Sequence, residues 1–227
     1  MHLIFDFDGT LIDSFDCVVA QFNCLAQDYK FRKIDLEQID ELRHLNSKEL
    51  IALFHIPFYK MPMVLYKARK ALHENINRIA PFDNIPQIVE ALFNQGFSLG
   101  IVSSNSEENV LSWLKHQNMQ KYFDFIHGGS SYFGKKRVLK KVLKMKKIQQ
   151  AFYIGDETRD IDAANQSNIY SMAVTWGFNS EKILTQYNPH CIARTPEDIL
   201  TLSLEYKDKL SVHTVPREYP QKLIISS

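Results

Sequence analysis

The stretch His2-Leu3-Ile4-Phe5-Asp6-Phe7-Asp8-Gly9 is the strongest structural signal in this chain of 227 residues. Its apolar and aromatic side chains predict a buried β-strand over residues 2–7 that ends at Gly9. Buried strands rarely contain acidic residues, yet Asp6 and Asp8 lie at the end of this one. We therefore expect a functional site at the carboxyl end of the first strand.

The composition is that of an ordinary globular protein, with 45% hydrophobic and 23% charged residues. Because 27 basic residues nearly balance 26 acidic ones, the formal net charge is +1, and no overall field would attract nucleic acid or an anionic membrane. We find no secretory signal pattern and no apolar run of the roughly 18 residues that a membrane helix needs. The three cysteines follow no paired spacing, which favours a reducing compartment and predicts a cytoplasmic protein.

After Pro81 the sequence alternates between helical and strand patterns. Helical spacing covers residues 85–94, 107–117, 136–147 and 161–165, and apolar strand patterns cover residues 97–103, 123–127, 151–154 and 170–175. This alternation with short connections predicts an α/β fold, in which a Rossmann-like parallel sheet is covered by helices on both faces. Ligands of such sheets bind beyond the carboxyl ends of the strands.

Residues 14–80 follow a different pattern, with apolar side chains at helical spacing and no obvious strand. Within them, Asn46 followed by Ser47 is typical of a helix N-cap. We predict that residues 1–13 and 81–202 form a Rossmann-like catalytic core and that residues 14–80 form a small all-helical cap domain. Residues 203–227 form a C-terminal tail, to which the sequence gives no role.

Four aspartates should meet at one edge of the predicted sheet. Asp6 and Asp8 follow the first strand, and Asp156 and Asp160 follow the strand predicted over residues 151–154. Several carboxylates in one pocket repel one another, and a divalent cation with oxygen ligands removes that repulsion. The pattern therefore predicts a Mg²⁺ site suited to phosphate chemistry. Taken alone, Asp156 and Asp160 are also typical of an acidic helix start.

Three motifs stand out in the predicted core. They are Asp6-Phe7-Asp8-Gly9-Thr10-Leu11-Ile12-Asp13-Ser14, Ile101-Val102-Ser103-Ser104-Asn105 and Gly155-Asp156-Glu157-Thr158-Arg159-Asp160. These motifs resemble those of the haloacid dehalogenase superfamily in its phosphatase form, and the resemblance extends to about Leu202. Their order and spacing resemble the phosphoglycolate phosphatase-like branch, whose helical cap is inserted directly after the first motif. Residues 14–80 occupy that place.

The resemblance implies a role for each aspartate. Asp6 would be the nucleophile that forms an aspartyl-phosphate, and Asp8 would be the general acid and base. Mg²⁺ would be held by Asp6, by the backbone carbonyl of Asp8, by Asp156 and by Asp160. An aspartate at position 8 favours phosphoryl transfer over dehalogenation, which in this superfamily proceeds without that acid.

The resemblance also implies phosphate-binding residues. Ser104 and Asn105 would offer a hydroxyl and an amide to the phosphate, with Ser103 as the register alternative, although serines after a strand also cap helices. The family's catalytic lysine falls in Gly134-Lys135-Lys136-Arg137, where the common Lys-Pro-x-Pro form is absent. We prefer Lys135, which follows the glycine, and its neighbour remains the alternative.

Substrate choice should depend on the cap, because the core motifs handle only phosphate and metal. Arg43 lies where related caps carry a specificity loop and could bind a second anionic group, although it is equally typical of a surface arginine before a helix cap.

The sequence therefore predicts a Mg²⁺-dependent phosphomonoester hydrolase of a small phosphorylated metabolite, with 2-phosphoglycolate as the nearest family substrate. Alternatives are a phosphosugar phosphatase or a phosphomutase of the same superfamily. A non-catalytic binding protein on this fold would be expected to lack Asp6, Asp8 or Asp156, and all three are present. The oligomeric state is left open.

Overall fold

The computed structural model describes residues 1–55, 58–60, 63–64, 66–67, 70, 73, 75–129 and 134–212. Six strands form one sheet in the order β3-β2-β1-β4-β5-β6, and every pair is parallel. The strands are β1 His2–Phe5, β2 Ser98–Val102, β3 Phe123–His127, β4 Ala151–Gly155, β5 Tyr170–Val174 and β6 Cys191–Ala193. Since β1 lies between β2 and β4, the carboxyl ends of these three strands meet at one edge.

Helices connect the strands. They are α1 Phe15–Tyr29, α2 Ile39–Leu42, α3 Ser47–Leu53, α4 Ile85–Asn94, α5 Glu107–His116, α6 Lys135–Met145, α7 Thr158–Asn165, α8 Glu181–Gln186 and α9 Pro196–Val212. From β2 onward a helix follows each strand, which confirms the predicted α/β alternation. None of the helices in the described part of the chain is long and apolar enough to cross a membrane.

Both faces of the sheet are buried, because alternate residues of β1 belong to different apolar clusters. Leu3 and Phe5 pack with α4, α5 and α9, whereas Ile4 packs on the opposite face with α6 and α7. Trp113 of α5 is completely buried, and its indole N–H donates to the backbone oxygen of Ile79 at 2.8 Å. Burial on two sides explains why the strands are almost continuously apolar in sequence.

Residues 14–80 leave the sheet and return to it at adjacent points. The Asp13 N–H donates to the Ala80 oxygen at 3.0 Å, and the Phe82 N–H donates to the Leu11 oxygen at 3.2 Å. The described residues of this segment contain no strand of the sheet, and they have an apolar cluster of their own: Leu25, Ala26, Phe31, Phe54 and Val64. These contacts favour the division into core and cap, which stays a prediction.

Helix α9 continues through Leu202, the predicted end of the core, as far as Val212. The Tyr206 ring lies edge-on to the Phe152 ring with centroids 4.9 Å apart, and Lys207 Nζ donates to the Gln95 oxygen at 2.7 Å. The first residues of the predicted tail therefore pack on the sheet and its helices. Residues 213–227 lie outside the described residues.

Candidate active site

The carboxyl edge of the sheet brings together residues that are far apart in sequence. Phe5 of β1 is in register with Ile101 of β2 and with Ile154 of β4. The Asp6 N–H extends this pairing by donating to the Ile154 oxygen at 2.8 Å. The chain segments that follow β1, β2 and β4 therefore start at the same level, as the predicted convergence of aspartates required.

Lys135 lies between two of these aspartates. Its ammonium group forms an ion pair with Asp6 and lies 2.5 Å from Asp160 Oδ1, and all three side chains are buried. Burial by itself would lower the pKa of Lys135, but the charges of Asp160 and Asp6 raise it above its ordinary value. The ammonium group therefore stays protonated and offsets carboxylate charge. Lys136, the alternative in sequence, is exposed.

Asp8 has a different environment from Asp6. Its Oδ2 accepts a hydrogen bond from Asn105 Nδ2 at 2.9 Å. Burial, reinforced by the charge of Asp6, raises the pKa of Asp8 to about 6, although the hydrogen bond from Asn105 acts in the opposite direction. A carboxyl group with this pKa keeps its proton at higher pH than an ordinary aspartate and releases it before neutrality. That property suits a residue that alternately donates and accepts a proton.

Asp156 is held by the first motif and by the loop after β5. Its carboxylate oxygens accept hydrogen bonds from Thr10 Oγ1 at 2.8 Å and from the Phe178 N–H at 2.7 Å. Burial, together with the neighbouring acidic groups, raises the pKa of Asp156 well above its ordinary value. Gly9 has φ +74°, and a Cβ at this position would overlap the Asp156 carboxylate and the Phe178 ring. Glycine is therefore needed for the close approach of the two loops.

Three carboxylates lie close enough to hold one metal ion. One oxygen from each of Asp6, Glu157 and Asp160 lies within 4.8 Å of the others. Asp6 Oδ1 is buried, and it has no hydrogen-bond partner in the described part of the chain. Because a buried anionic oxygen without a partner is costly, Asp6 Oδ1 fits a donor set that a divalent cation would complete. A set made only of oxygens suits Mg²⁺.

Ser103, Ser104 and Asn105 follow β2 and differ in their surroundings. Ser103 is fully buried, and its Oγ accepts a hydrogen bond from the Asn105 N–H at 3.0 Å. Ser104 and Asn105 line the cavity above the sheet edge, together with Asp8. Of the two serines that the sequence left as alternatives, Ser104 is therefore the one that borders the cavity.

Arg43 connects the segment 14–80 to the loop after β5. Its Nη2 donates to the Gly177 oxygen at 2.7 Å, and its own backbone oxygen accepts from the Ser180 N–H at 2.9 Å. Asn179 Nδ2 donates to the Leu45 oxygen at 3.0 Å in the same contact. Arg43 Nε is buried, and no partner for it is found within the described residues. The Nε–H of the guanidinium group is therefore available to an anionic group.

A cavity of ≈ 280 Å³ lies where the segment 14–80 meets the sheet edge. Its polar lining includes Asp8, Arg43, Ser104, Asn105, Glu157 and Arg159. Apolar side chains of the segment 14–80, among them Val18, Phe22 and Leu50, form much of the remaining wall. A phosphate ester could therefore place its phosphoryl group at the aspartates and its organic group against the segment.

Sequence reasoning gave no role to Glu157, which belongs to the acidic cluster. Its Oε2 accepts a hydrogen bond from Arg159 Nε at 2.7 Å. The available signal was a second acidic residue directly after Asp156 at the end of β4, where it adds to the same group of charges. The other predicted core residues do lie together: Asp6, Asp8, Ser104, Asn105, Lys135, Asp156 and Asp160. Their individual roles stay predictions.

Comparison with known proteins identifies the family. The profile described as haloacid dehalogenase-like hydrolase matches residues 3–174, and the chain belongs to this family. It is a phosphatase enzyme, and its relatives include the phosphoglycolate phosphatase-like branch that the sequence motifs resemble.

Individual relatives have different names. A phosphoglycolate phosphatase from Synechococcus elongatus is 32% identical over 200 residues, which cover 87% of this chain and 94% of that protein. Pyrophosphatase PpaX from Listeria innocua is 23% identical over 207 residues, which cover 88% and 94%. The crystal structure of a predicted phosphatase from Clostridium acetobutylicum has 23% identity and a TM-score of 0.77, with 90% of this chain and 98% of that one covered. The last likeness shows the fold alone.

Proposed function

We propose that this chain hydrolyses a small phosphomonoester in a Mg²⁺-dependent reaction that passes through an aspartyl-phosphate on Asp6. The observation that carries the proposal is the contrast between two aspartates on one strand end. Asp6 contacts the Lys135 ammonium group, whereas the pKa of Asp8 is raised to about 6. The first environment suits an ionised nucleophile, and the second suits a general acid and base.

In the first step a carboxylate oxygen of Asp6 attacks phosphorus, and the bond from phosphorus to the ester oxygen breaks. Asp8 gives its proton to the departing alkoxide. Lys135, Ser104 and the second N–H of the Asn105 amide are available to the phosphoryl oxygens.

In the second step Asp8 takes a proton from water, which attacks phosphorus. The bond between phosphorus and Asp6 breaks, and inorganic phosphate leaves with the Asp6 carboxylate regenerated. Asp6, the backbone carbonyl of Asp8, Asp156 and Asp160 would hold Mg²⁺, and Glu157 is a further candidate ligand. When bound, Mg²⁺ supplies positive charge that offsets the charge on Asp6 and on the phosphoryl oxygens.

The organic group of the substrate would lie against residues 14–80, which we propose act as a cap. The relative from Synechococcus elongatus is named a phosphoglycolate phosphatase, so 2-phosphoglycolate is the first ester to test. Arg43 is the candidate for binding its carboxylate, because Nε of this side chain remains unpaired among the described residues. Closure of a cap would also exclude bulk water from the reaction.

A phosphosugar phosphatase and a phosphomutase use the same core chemistry and remain the alternatives. A mutase has to protect the aspartyl-phosphate from water until a second substrate accepts the phosphoryl group. Release of inorganic phosphate from a sugar phosphate would favour the phosphatase, and isomerisation without phosphate release would favour the mutase.

The test is phosphate release from a panel of esters that contains 2-phosphoglycolate, sugar phosphates and aryl phosphates, with Mg²⁺ and with EDTA. We expect metal-dependent release by the wild type. The variants Asp6→Asn and Asp8→Asn should each lower kcat by at least about 100-fold, because each removes a group that takes part in the chemistry.

Asp162→Asn is the matched control. Asp162 is an exposed carboxylate on α7, the helix that carries Asp160, and it lies outside the acidic cluster. This variant should keep the wild-type rate. Full activity of Asp6→Asn would refute the nucleophile, and no release from any ester would refute the hydrolase.

A further inference from the structure

The geometry points to Asn109 as a positioning residue: we propose that Asn109, anchored by His73, orients the Asn105 amide so that it donates a hydrogen bond to Asp8. The inference rests on the proposed function, because positioning Asp8 matters only if Asp8 transfers protons. Asn109 lies on α5 and is 1% exposed, and it does not line the cavity. It would therefore act through Asn105 rather than on the substrate.

Three side-chain hydrogen bonds connect His73 to Asp8. His73 Nδ1 lies 2.6 Å from Asn109 Oδ1. Asn109 Nδ2 donates to Asn105 Oδ1 at 2.9 Å, and Asn105 Nδ2 donates to Asp8 Oδ2 at 2.9 Å. This series of hydrogen bonds therefore connects the segment 14–80 to Asp8, the proposed general acid and base.

The donor and the acceptor of each hydrogen bond between His73 and Asp8 are fixed by the neighbouring groups. Asn105 Oδ1 also accepts from the Ser106 backbone N–H at 2.8 Å, a group that can only donate. The Asn105 amide therefore has to present its NH₂ group to the Asp8 carboxylate. Asn109 in turn has to present NH₂ to Asn105 and its oxygen to His73, so His73 must carry a proton on Nδ1.

These hydrogen bonds favour one orientation of the Asn105 amide over its flipped form. A flipped Asn105 would turn its oxygen toward Asp8, and two acceptors would then face each other. Asn109 opposes the flip because its NH₂ group requires an acceptor at Asn105. His73 opposes rotation of Asn109 in the same way. After loss of either residue the Ser106 N–H still contacts Asn105 Oδ1, but the amide is held less firmly, so the donor to Asp8 should be less well placed while the phosphate and the metal ligands are untouched.

The kinetic test uses 2-phosphoglycolate, or the sugar phosphate of the panel that is hydrolysed fastest, with Mg²⁺, because a departing alkoxide needs a proton from the general acid. Asn109→Asp keeps the size of the side chain but replaces the donor to Asn105 by an acceptor. We expect it to lower kcat at least about 10-fold with KM changed less than about 2-fold, because proton transfer is impaired and binding is not. His73→Phe removes the anchor and should lower kcat less, by about 3-fold. The double variant should lose less than the product of the two single effects, since both act on the same amide.

Ser112→Ala is the matched control. Ser112 also lies on α5, and its Oγ donates to Asn77 Oδ1 at 3.1 Å, a contact between the same helix and the end of the same segment that does not lead to Asp8. This variant should keep kcat within about 2-fold of the wild type. If Asn109→Asp loses no more kcat than Ser112→Ala, or loses activity only through KM, the positioning role is wrong.

A second measurement needs no activity and no variant. Nitrogen NMR of the wild-type protein should find a proton on Nδ1 of the His73 imidazole. An Nδ1 without a proton would overturn the series of hydrogen bonds, whereas Nε2 lies 3.9 Å from Glu108 Oε1 and its protonation does not test it. If the wild type released phosphate from no ester, the proposed function would fail. The NMR measurement would still decide whether the hydrogen bonds from His73 to Asp8 are formed.

Discussion

Asp6 and Asp8 are separated by one residue, yet they contact chemically different groups. Asp6 contacts a buried ammonium group, and Asp8 contacts an uncharged amide. Asp6 directly follows β1, and the chain turns at Phe7, so both carboxylates lie at the same rim of the sheet. The partners, contributed by α6 and by the end of β2, then make the two aspartates unequal. Chemical roles at this site therefore depend on neighbours more than on residue type.

His190 gives a pH dependence of stability that can be isolated by one substitution. Its Nδ1 lies 3.1 Å from the Ser171 backbone N–H, which donates to it, so this nitrogen has to be unprotonated. Partial burial lowers the pKa of His190 below the ordinary value of 6.5. The unfolded chain therefore binds a proton more readily than the folded one. The stability from His190 is present above pH 6.5 and is lost as pH falls through the folded pKa.

We therefore expect the wild type to lose more free energy of unfolding than His190→Asn when the pH falls from about 7.5 to about 5.5. The comparison with the variant is needed because the raised pKa values of the buried aspartates change stability in the opposite direction. Urea unfolding at the two pH values measures the difference. An identical loss in both proteins would contradict the prediction.

Among the elements, α3 is the one whose start was predicted from its first residues. Asn46 Oδ1 accepts from the Lys48 N–H at 3.0 Å and from the Glu49 N–H at 3.1 Å. Glu49 Oε2 accepts in return from the Asn46 N–H at 2.7 Å, which completes a capping box. The bonds satisfy backbone groups that the helix itself leaves unpaired. The cap fixes the start of α3 at Ser47, shortly after Arg43, whose side chain contacts Gly177.

Asn46→Ala should lower the free energy of unfolding by about 1 kcal/mol, because the helix loses both acceptor bonds of its N-cap. Asn46→Asp is the control, since aspartate caps helices as well as asparagine does. Urea unfolding of the three proteins tests this expectation. A loss of equal size in both variants would show that the effect does not come from the cap.

At the scale of the whole molecule, the sheet edge concentrates negative charge that the fold only partly neutralises. Asp6, Asp156, Glu157 and Asp160 are buried near one another, and within the described residues Lys135 is the buried cation among them. Burial, partly offset by Lys135, raises the pKa of Asp160 to about 6. Such a site stores unfavourable free energy that a bound cation would release.

Added Mg²⁺ should therefore raise the melting temperature. Stabilisation by one site would be about 2.7 kcal/mol at a metal concentration 100 times the Kd. Asp160→Asn should reduce the rise, because it removes a candidate ligand, and Asp162→Asn should keep it. Thermal unfolding followed by circular dichroism, with Mg²⁺ and with EDTA, measures the shift. A melting temperature that does not respond to Mg²⁺ in the wild type would argue against the metal site.

The α/β alternation could be predicted because it depends on local patterns. The bounds of α4 and β3 match the predicted residues 85–94 and 123–127, where apolar spacing is regular and glycine or turn residues mark the ends. The short elements β6 and α8 were missed, since three and six residues carry too little periodicity to be recognised. The first strand ends at Phe5 rather than Phe7, because the backbone turns at Phe7, whose oxygen accepts from the Leu11 N–H at 2.9 Å.

The sequence by itself determined the parallel sheet, the motifs and the edge at which the aspartates meet, because each follows from a pattern of neighbouring residues. Only the tertiary structure decided which of two adjacent lysines faces Asp6, which serine borders the cavity, and that Asn109 lies behind Asn105. The physical reason is that a side chain's partners at such a site come from elements far apart in sequence. Their approach depends on how helices pack on both faces of the sheet, which no local pattern contains.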